Sequence, residues 1–259
     1  MDILVLSIFA GVVGMGLGSI ITAIFGSKTD KMVSIFLSLA GGVMISIVLI
    51  ELIPEAIEYS NTLITVIGVV LGVLMVMLLN NVMDRVTSSK KQHSTVHDSY
   101  TEFFHTEGLT SKKKGMLRSG MIMLFAIALH NIPEGLAMGA AGYVDISLGV
   151  TIAIMIGLHN IPEGMAIAAP LISGGVSKTK TILLVTITGA TTVIGAIVGM
   201  LVGGISEIAL ALSFALASGA MLYVVFGEIL PQALVSTKDK TPAIFALVGI
   251  VVGIIFTMI

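Results

Sequence analysis

The sequence predicts an all-α protein, a polytopic membrane bundle of eight transmembrane helices arranged 3+2+3. Three observations carry that expectation. Of 259 residues, 56% are hydrophobic and only 11% charged, with a mean hydropathy of +1.10, far from the composition of a soluble domain. Apolar runs close to the length that a bilayer demands, about 20 residues, recur eight times. All thirteen lysines and arginines fall between alternate pairs of those runs.

The runs lie at about 3–25, 32–56, 62–80, 120–141, 147–171, 181–203, 207–233 and 242–259, numbered here as predicted helices 1 to 8. The first is long for a cleavable leader and follows Asp2 rather than a basic segment, so it is expected to be retained. The whole of 1–259 is expected to be one transmembrane domain, with 81–119 as a loop between predicted helices 3 and 4. Glycine is abundant (29) and tryptophan absent; small residues let helices approach closely in a membrane, so tight packing follows. With no cysteine, any bound metal must be held by nitrogen, oxygen or thioether sulfur.

The basic residues set the topology. Lys28 and Lys31 fall after predicted helix 1; Arg85, Lys90, Lys91, Lys112, Lys113, Lys114 and Arg118 after helix 3; Lys178 and Lys180 after helix 5; Lys238 and Lys240 after helix 7. These loops share one side of an eight-helix chain. The positive-inside rule places them in the cytoplasm and both termini outside, in a multi-pass cell-membrane protein. The 81–119 loop also carries His93, His97 and His105 among serines, threonines and acids. That spacing reads as a solvated linker or as a weak, regulatory metal-binding loop.

Two repeats are visible. AGGVMISIVLIELIPEA (Ala40–Ala56) recurs as ASGAMLYVVFGEILPQA (Ala217–Ala233). The copies fall on predicted helices 2 and 7, an odd offset, so they cross the bilayer in opposite senses, the mark of an inverted repeat of helices 1–3 and 6–8. The E-x-x-P unit then places Glu51 and Glu55 toward one mouth of the bundle and Glu228 toward the other, as stations on a polar path.

The second repeat is LHNIPEG, at Leu129–Gly135 on predicted helix 4 and again at Leu158–Gly164 on predicted helix 5. Both copies fall near mid-membrane. In each, histidine and glutamate four residues apart share a helix face, with asparagine turned by about 100°. Pro133 and Pro162 cannot donate to the carbonyls of Leu129 and Leu158, and such freed carbonyls are tolerated at membrane depth only beside protein or water.

A carboxylate at the bilayer centre costs about 2.5–3.5 kcal/mol, and no lysine or arginine lies in a predicted helix to offset it. Protons or a bound cation must do so. His130, Glu134, His159 and Glu163 form an N2O2 set that is neutral around one divalent ion and suits Zn²⁺, with Fe²⁺, Mn²⁺, Co²⁺ and Cd²⁺ accepted by the same donors. Asn131 and Asn160 would orient those ligands or complete a neighbouring site. A membrane-embedded metalloenzyme and a metal sensor are alternatives, but no H-E-x-x-H helix, nucleophile elbow or paired E-x-x-H motif is present. Polar stations on both sides of the site favour passage of the ion, and so a transporter rather than an enzyme.

These motifs resemble those of the ZIP (Zrt/Irt-like protein) metal transporters, in their compact bacterial GufA-like type, and the resemblance covers essentially the whole chain. It implies uptake of zinc or a related divalent cation into the cytoplasm, without ATP hydrolysis, by a homodimer embedded in the lipid bilayer, with no nucleic-acid partner. It assigns the metal centre to His130, Asn131, Glu134, His159, Asn160 and Glu163, and marks Met44 as a further position near the metal. Family members holding two metals place a glutamate on helix 6, where this sequence has Thr192 in TGATTV, so the resemblance implies one tight site here.

Overall fold

A computed structural model describes residues 3–26, 29–87, 109–144, 146–202, 207–237 and 239–257. Among the described residues all regular structure is helical. The eight expected helices are present: α1 Ile3–Phe25, α2 Asp30–Glu58, α3 Thr62–Val82, α4 Lys113–Tyr143, α5 Gly149–Ser173, α6 Lys178–Leu201, α7 Glu207–Ser236 and the shorter α8 Thr241–Ile255. Leucines, isoleucines and valines line the outer surface, most fully on α3, where Leu63, Val66, Ile67, Val70, Leu71, Leu74 and Leu78 are all exposed. In water such a face would be untenable; in lipid it is the expected exterior.

Two boundaries differ from expectation. The helix of α3 continues to Thr87 and that of α4 begins at Leu109, so both ends of the 81–119 segment are helical. Hydropathy marks only the lipid-facing length, whereas good helix formers such as Met83, Arg85 and Lys112–Lys114 carry the helices onward. His93, His97 and His105 lie outside the described residues. Within α6 the helix breaks at Gly189, between Lys178–Thr188 and Ala190–Val202. There α1 and α6 cross so closely that a side chain on Gly189 would collide with the Gly11 carbonyl, and one on Gly11 with the Gly189 carbonyl.

The inverted repeat is written into the packing position by position. A Cβ on Gly72 of α3 would strike the Leu216 carbonyl of α7. The offset that carries Ala40 onto Ala217 also carries Gly72 onto Gly249 of α8 and Leu39 of α2 onto Leu216, and a Cβ on Gly249 would strike the Leu39 carbonyl. Likewise Gly18 of α1 lies against the Ile161 carbonyl of α5, and Gly195 of α6 against the Ile132 carbonyl of α4. The repeat thus relates α1–α3 to α6–α8, while the two LHNIPEG copies exchange α4 and α5. Small residues at these crossings allow backbone-to-backbone approach, the main source of helix association where lipid is as apolar as leucine.

The same repeat relates two π-helical turns, Val48–Leu52 in α2 and Val225–Ile229 in α7. Each holds the glutamate of an E-x-x-P unit, Glu51 or Glu228, and each precedes a proline, Pro54 or Pro231. Proline removes one helical donor, and a widened turn is one way for the helix to absorb that loss. Glu228 is buried there and Glu51 partly so.

Between α7 and α8, Asp239 accepts from the Thr241 amide at 2.9 Å and lies 3.6 Å from Lys31. Its carboxyl is held below the usual range by hydrogen bonding from Thr241, with Lys31 adding a smaller effect. Nearby, the Ser34 hydroxyl donates to the Ala233 carbonyl at 2.9 Å, fastening the start of α2 to the end of α7.

Candidate metal centre

The two LHNIPEG motifs meet at the centre of the α4–α5 contact. Each helix runs unbroken through its proline, so the four-residue spacing holds and each histidine stands on the same face as its own glutamate. His130, Glu134, His159 and Glu163 are all at most 1% exposed.

The pairing crosses between motifs. His130 Nε2 lies 3.1 Å from Glu163 Oε1, and His159 Nε2 lies 3.2 Å from Glu134 Oε1, while the pair within one motif, His130 and Glu134, is wider at 3.8 Å. One ligand atom from each of His130, Glu134 and Glu163 falls within 4.8 Å of the others, and Glu134 links His159 to this group. Both Nδ1 atoms, both Glu134 oxygens and Glu163 Oε2 are buried without an aligned hydrogen-bond partner. Buried carboxylates that lack aligned donors are costly unless a cation supplies the missing field. The donors suit a borderline ion that takes imidazole and carboxylate together.

The asparagines differ. Asn160 Nδ2 donates to the Ala10 carbonyl of α1 at 2.8 Å, tying α5 to the first π-helical turn of α1, Ile8–Val13. Asn131, its counterpart in the first motif, is fully buried with neither side-chain atom paired. The Thr192 hydroxyl is also buried and unpaired.

A cavity of about 110 Å³ is lined by Glu134 and His159 together with Glu51, Leu52, Glu55 and Tyr59, and walled by Ile152, Met155, Ile156 and Phe214. Tyr59 stacks on Phe214 with ring centroids 6.2 Å apart. Burial pushes the Tyr59 phenol up, as do Glu55, Glu58 and Glu207 around it, so it is a neutral hydroxyl at physiological pH. Glu51 and Glu55 thus line the same cavity as Glu134 and His159. Glu228 is enclosed instead: it is buried, accepting from Asn80 Nδ2 at 3.0 Å and from the Ser119 hydroxyl at 2.9 Å. Met44 is fully buried in the apolar core of α2 and is not among the cavity walls.

Sequence reasoning missed Asn80, Ser119 and the Tyr59–Phe214 pair. The available signal was slight: Asn80 is a polar residue ending an apolar run, and Ser119 immediately precedes the next one.

A family model described as ZIP zinc transporter matches residues 81–259 of the chain. The chain belongs to the ZIP family. Its similarity extends over nearly its full length: it is 32% identical to the zinc transporter ZupT of Chlorobaculum parvum over 88% of this chain and 86% of that protein. It is 30% identical to ZupT of Corynebacterium glutamicum over 94% and 93%, and 32% identical to ZupT of Clostridium perfringens over 88% and 85%. As a ZIP protein the chain is a membrane transport protein and not an enzyme, which sets aside the metalloenzyme alternative, and its buried histidine–glutamate cluster fits a metal site.

Proposed function

We propose that this ZIP protein takes up Zn²⁺ into the cytoplasm through the α4–α5 site, with His130, Glu134, His159 and Glu163 as the ligands. The observation that carries the reading is the crossed pairing of the two motifs, which assembles two imidazoles and two carboxylates in a fully buried place with unsatisfied acceptors. One dication neutralises that set. The names of the relatives support zinc as cargo; Fe²⁺, Mn²⁺, Co²⁺ and Cd²⁺ fit the same donors and are the competing ions.

Entry proceeds along the cavity. Glu55 and Glu51 attract the hydrated ion, and Glu134 and His159, which line the same cavity, exchange its water for protein ligands. The unpaired oxygen of Asn131 adds a weak, neutral donor, while Asn160 holds α5 in place. Thr192 supplies a hydroxyl but no charge, so a single tight site is expected. Release requires alternating access, in which the α4–α5 hairpin carries the ion while the repeats around it move, and Glu228 becomes the station at the other mouth.

In the cell membrane the termini lie outside and the 81–119 segment inside, as the clustering of basic residues favours; the protein works as a homodimer, and the histidines of that segment form a regulatory loop. The test is radioactive zinc uptake into proteoliposomes of the purified chain, with a panel of competing divalent ions. Saturable uptake, blocked by excess cold zinc and absent in His130→Ala, is the expected result. Zinc binding without accumulation would point to a sensor and overturn the transport reading.

A further inference from the structure

The two copies of the E-x-x-P unit are related by the inverted repeat, yet they stand in different surroundings. Glu51 lines the cavity and receives no hydrogen bond among the described residues. Glu228 is 9% exposed and gripped at both oxygens: Asn80 of α3 donates to Oε1 and Ser119 of α4 donates to Oε2. Asn80 also donates to the Tyr223 hydroxyl at 3.1 Å, fixing its amide against α7. Just beyond, the Gln232 amide contacts the sulfur of Met116 on α4.

The difference is encoded in the sequence. The positions equivalent to Asn80, Tyr223 and Ser119 at the Glu51 mouth are Thr257, Ser46 and Leu148. The Thr257 hydroxyl donates to the Ile254 carbonyl at 2.9 Å and the Ser46 hydroxyl to the Val43 carbonyl at 2.8 Å, so both are spent on their own helices. Among the described residues, a grip of this kind exists at one mouth only.

Its position makes it mechanically relevant. Ser119 lies on the helix that carries His130, eleven positions away, which at 1.5 Å per residue is about 16 Å along α4. Hydrogen bonds to a carboxylate are roughly twice as strong as neutral ones, and here they join the site-bearing helix to α3 and α7.

We propose that the Asn80–Glu228–Ser119 hydrogen bonds are a latch that holds the Glu228 mouth shut while the Glu51 mouth is open, so that Asn80 and Ser119 are positioning residues for transport. Opening the Glu228 mouth requires Ser119 to leave Glu228, and the carboxylate then receives the departing cation. A latch on one side only biases the resting protein toward the state open to Glu51. The idea rests on the transport reading for its purpose, but its structural content stands on the hydrogen bonds and the repeat.

The chain has no cysteine, so one introduced thiol reports alone. Met155→Cys places it in the cavity; Met123→Cys places it one helical turn beyond Ser119 on the same face of α4, at a residue now fully buried. The experiment measures modification rates by a charged methanethiosulfonate in the full-length purified protein, with and without Ser119→Ala or Asn80→Leu. The latch predicts opposite changes: the Met123→Cys thiol speeds up and the Met155→Cys thiol slows, so that the ratio of the two rates shifts about tenfold, as loss of one hydrogen bond to a charged group implies. Ser119→Thr, which keeps the hydroxyl, leaves both rates near those of the parent. Rates that are unchanged, or that rise together as they would on general loosening, overturn the proposal. Protection of the Met155→Cys thiol by added Zn²⁺ reports separately on the metal reading, so failure of one is distinguishable from failure of the other.

Discussion

His130 and Glu163 lie 3.1 Å apart across the α4–α5 contact, closer than His130 lies to the glutamate of its own motif at 3.8 Å. Each LHNIPEG copy thus pairs with the other, and the proposed site needs both. On the proposed reading, replacing His130 or Glu163 with alanine removes one ligand from a site that both copies share. Uptake is expected to fall at least about 100-fold, since even groups that only orient ligands are worth 10–100-fold. The protein should remain folded by size-exclusion chromatography. Retained transport would count heavily against the assignment.

Acid should inhibit uptake. Imidazole and carboxylate bind metal only when deprotonated, so protons compete with the cation and affinity falls as pH falls. Uptake measured from pH 8 to pH 5 is expected to decline as the pH falls. A flat profile would contradict proton competition at the site.

Asn131 and Asn160 are sequence equivalents that the fold treats differently, and their variants should differ accordingly. Asn160→Ala breaks the bond to the Ala10 carbonyl and leaves that carbonyl without this donor, at a cost of about 1–3 kcal/mol. Asn131→Leu removes two buried polar atoms that have no partner, so thermal stability without metal should be unchanged or raised while uptake weakens. A fall in stability for Asn131→Leu equal to that for Asn160→Ala would show that Asn131 is structural.

The pseudo-symmetric glycine crossings predict paired phenotypes. Gly72→Val forces α3 from the Leu216 carbonyl and Gly249→Val forces α8 from the Leu39 carbonyl. Each should cost at least about 1–3 kcal/mol, as overpacking does, and lower the yield of folded protein similarly. A tolerant Gly249→Val beside a damaging Gly72→Val would show that the two crossings are not energetic equivalents.

Much of this was legible in the sequence, for identifiable reasons. Histidine and glutamate inside an apolar run stand out because burial of such groups is costly, and their four-residue spacing survives folding because α4 and α5 continue through Pro133 and Pro162. The inverted repeat was visible at Glu51 and Glu228 because a carboxylate three residues before a proline is rare in a membrane helix. The π-helical turns that hold these glutamates were not legible, since a widened turn leaves hydropathy untouched. Nor was the break at Gly189, which depends on Gly11 in a distant helix. Asn80 and Ser119 looked like ends of predicted helices; only packing between segments far apart in the chain joins them to Glu228.

X-ray absorption at the zinc edge, on the purified protein loaded with one equivalent of Zn²⁺, tests the central claim most directly. The account predicts nitrogen and oxygen neighbours at about 2.0–2.2 Å with the outer-shell signature of two imidazoles, reduced to one in His159→Ala. A sulfur neighbour at thioether distance, or a spectrum indifferent to His130→Ala and His159→Ala alike, would contradict it.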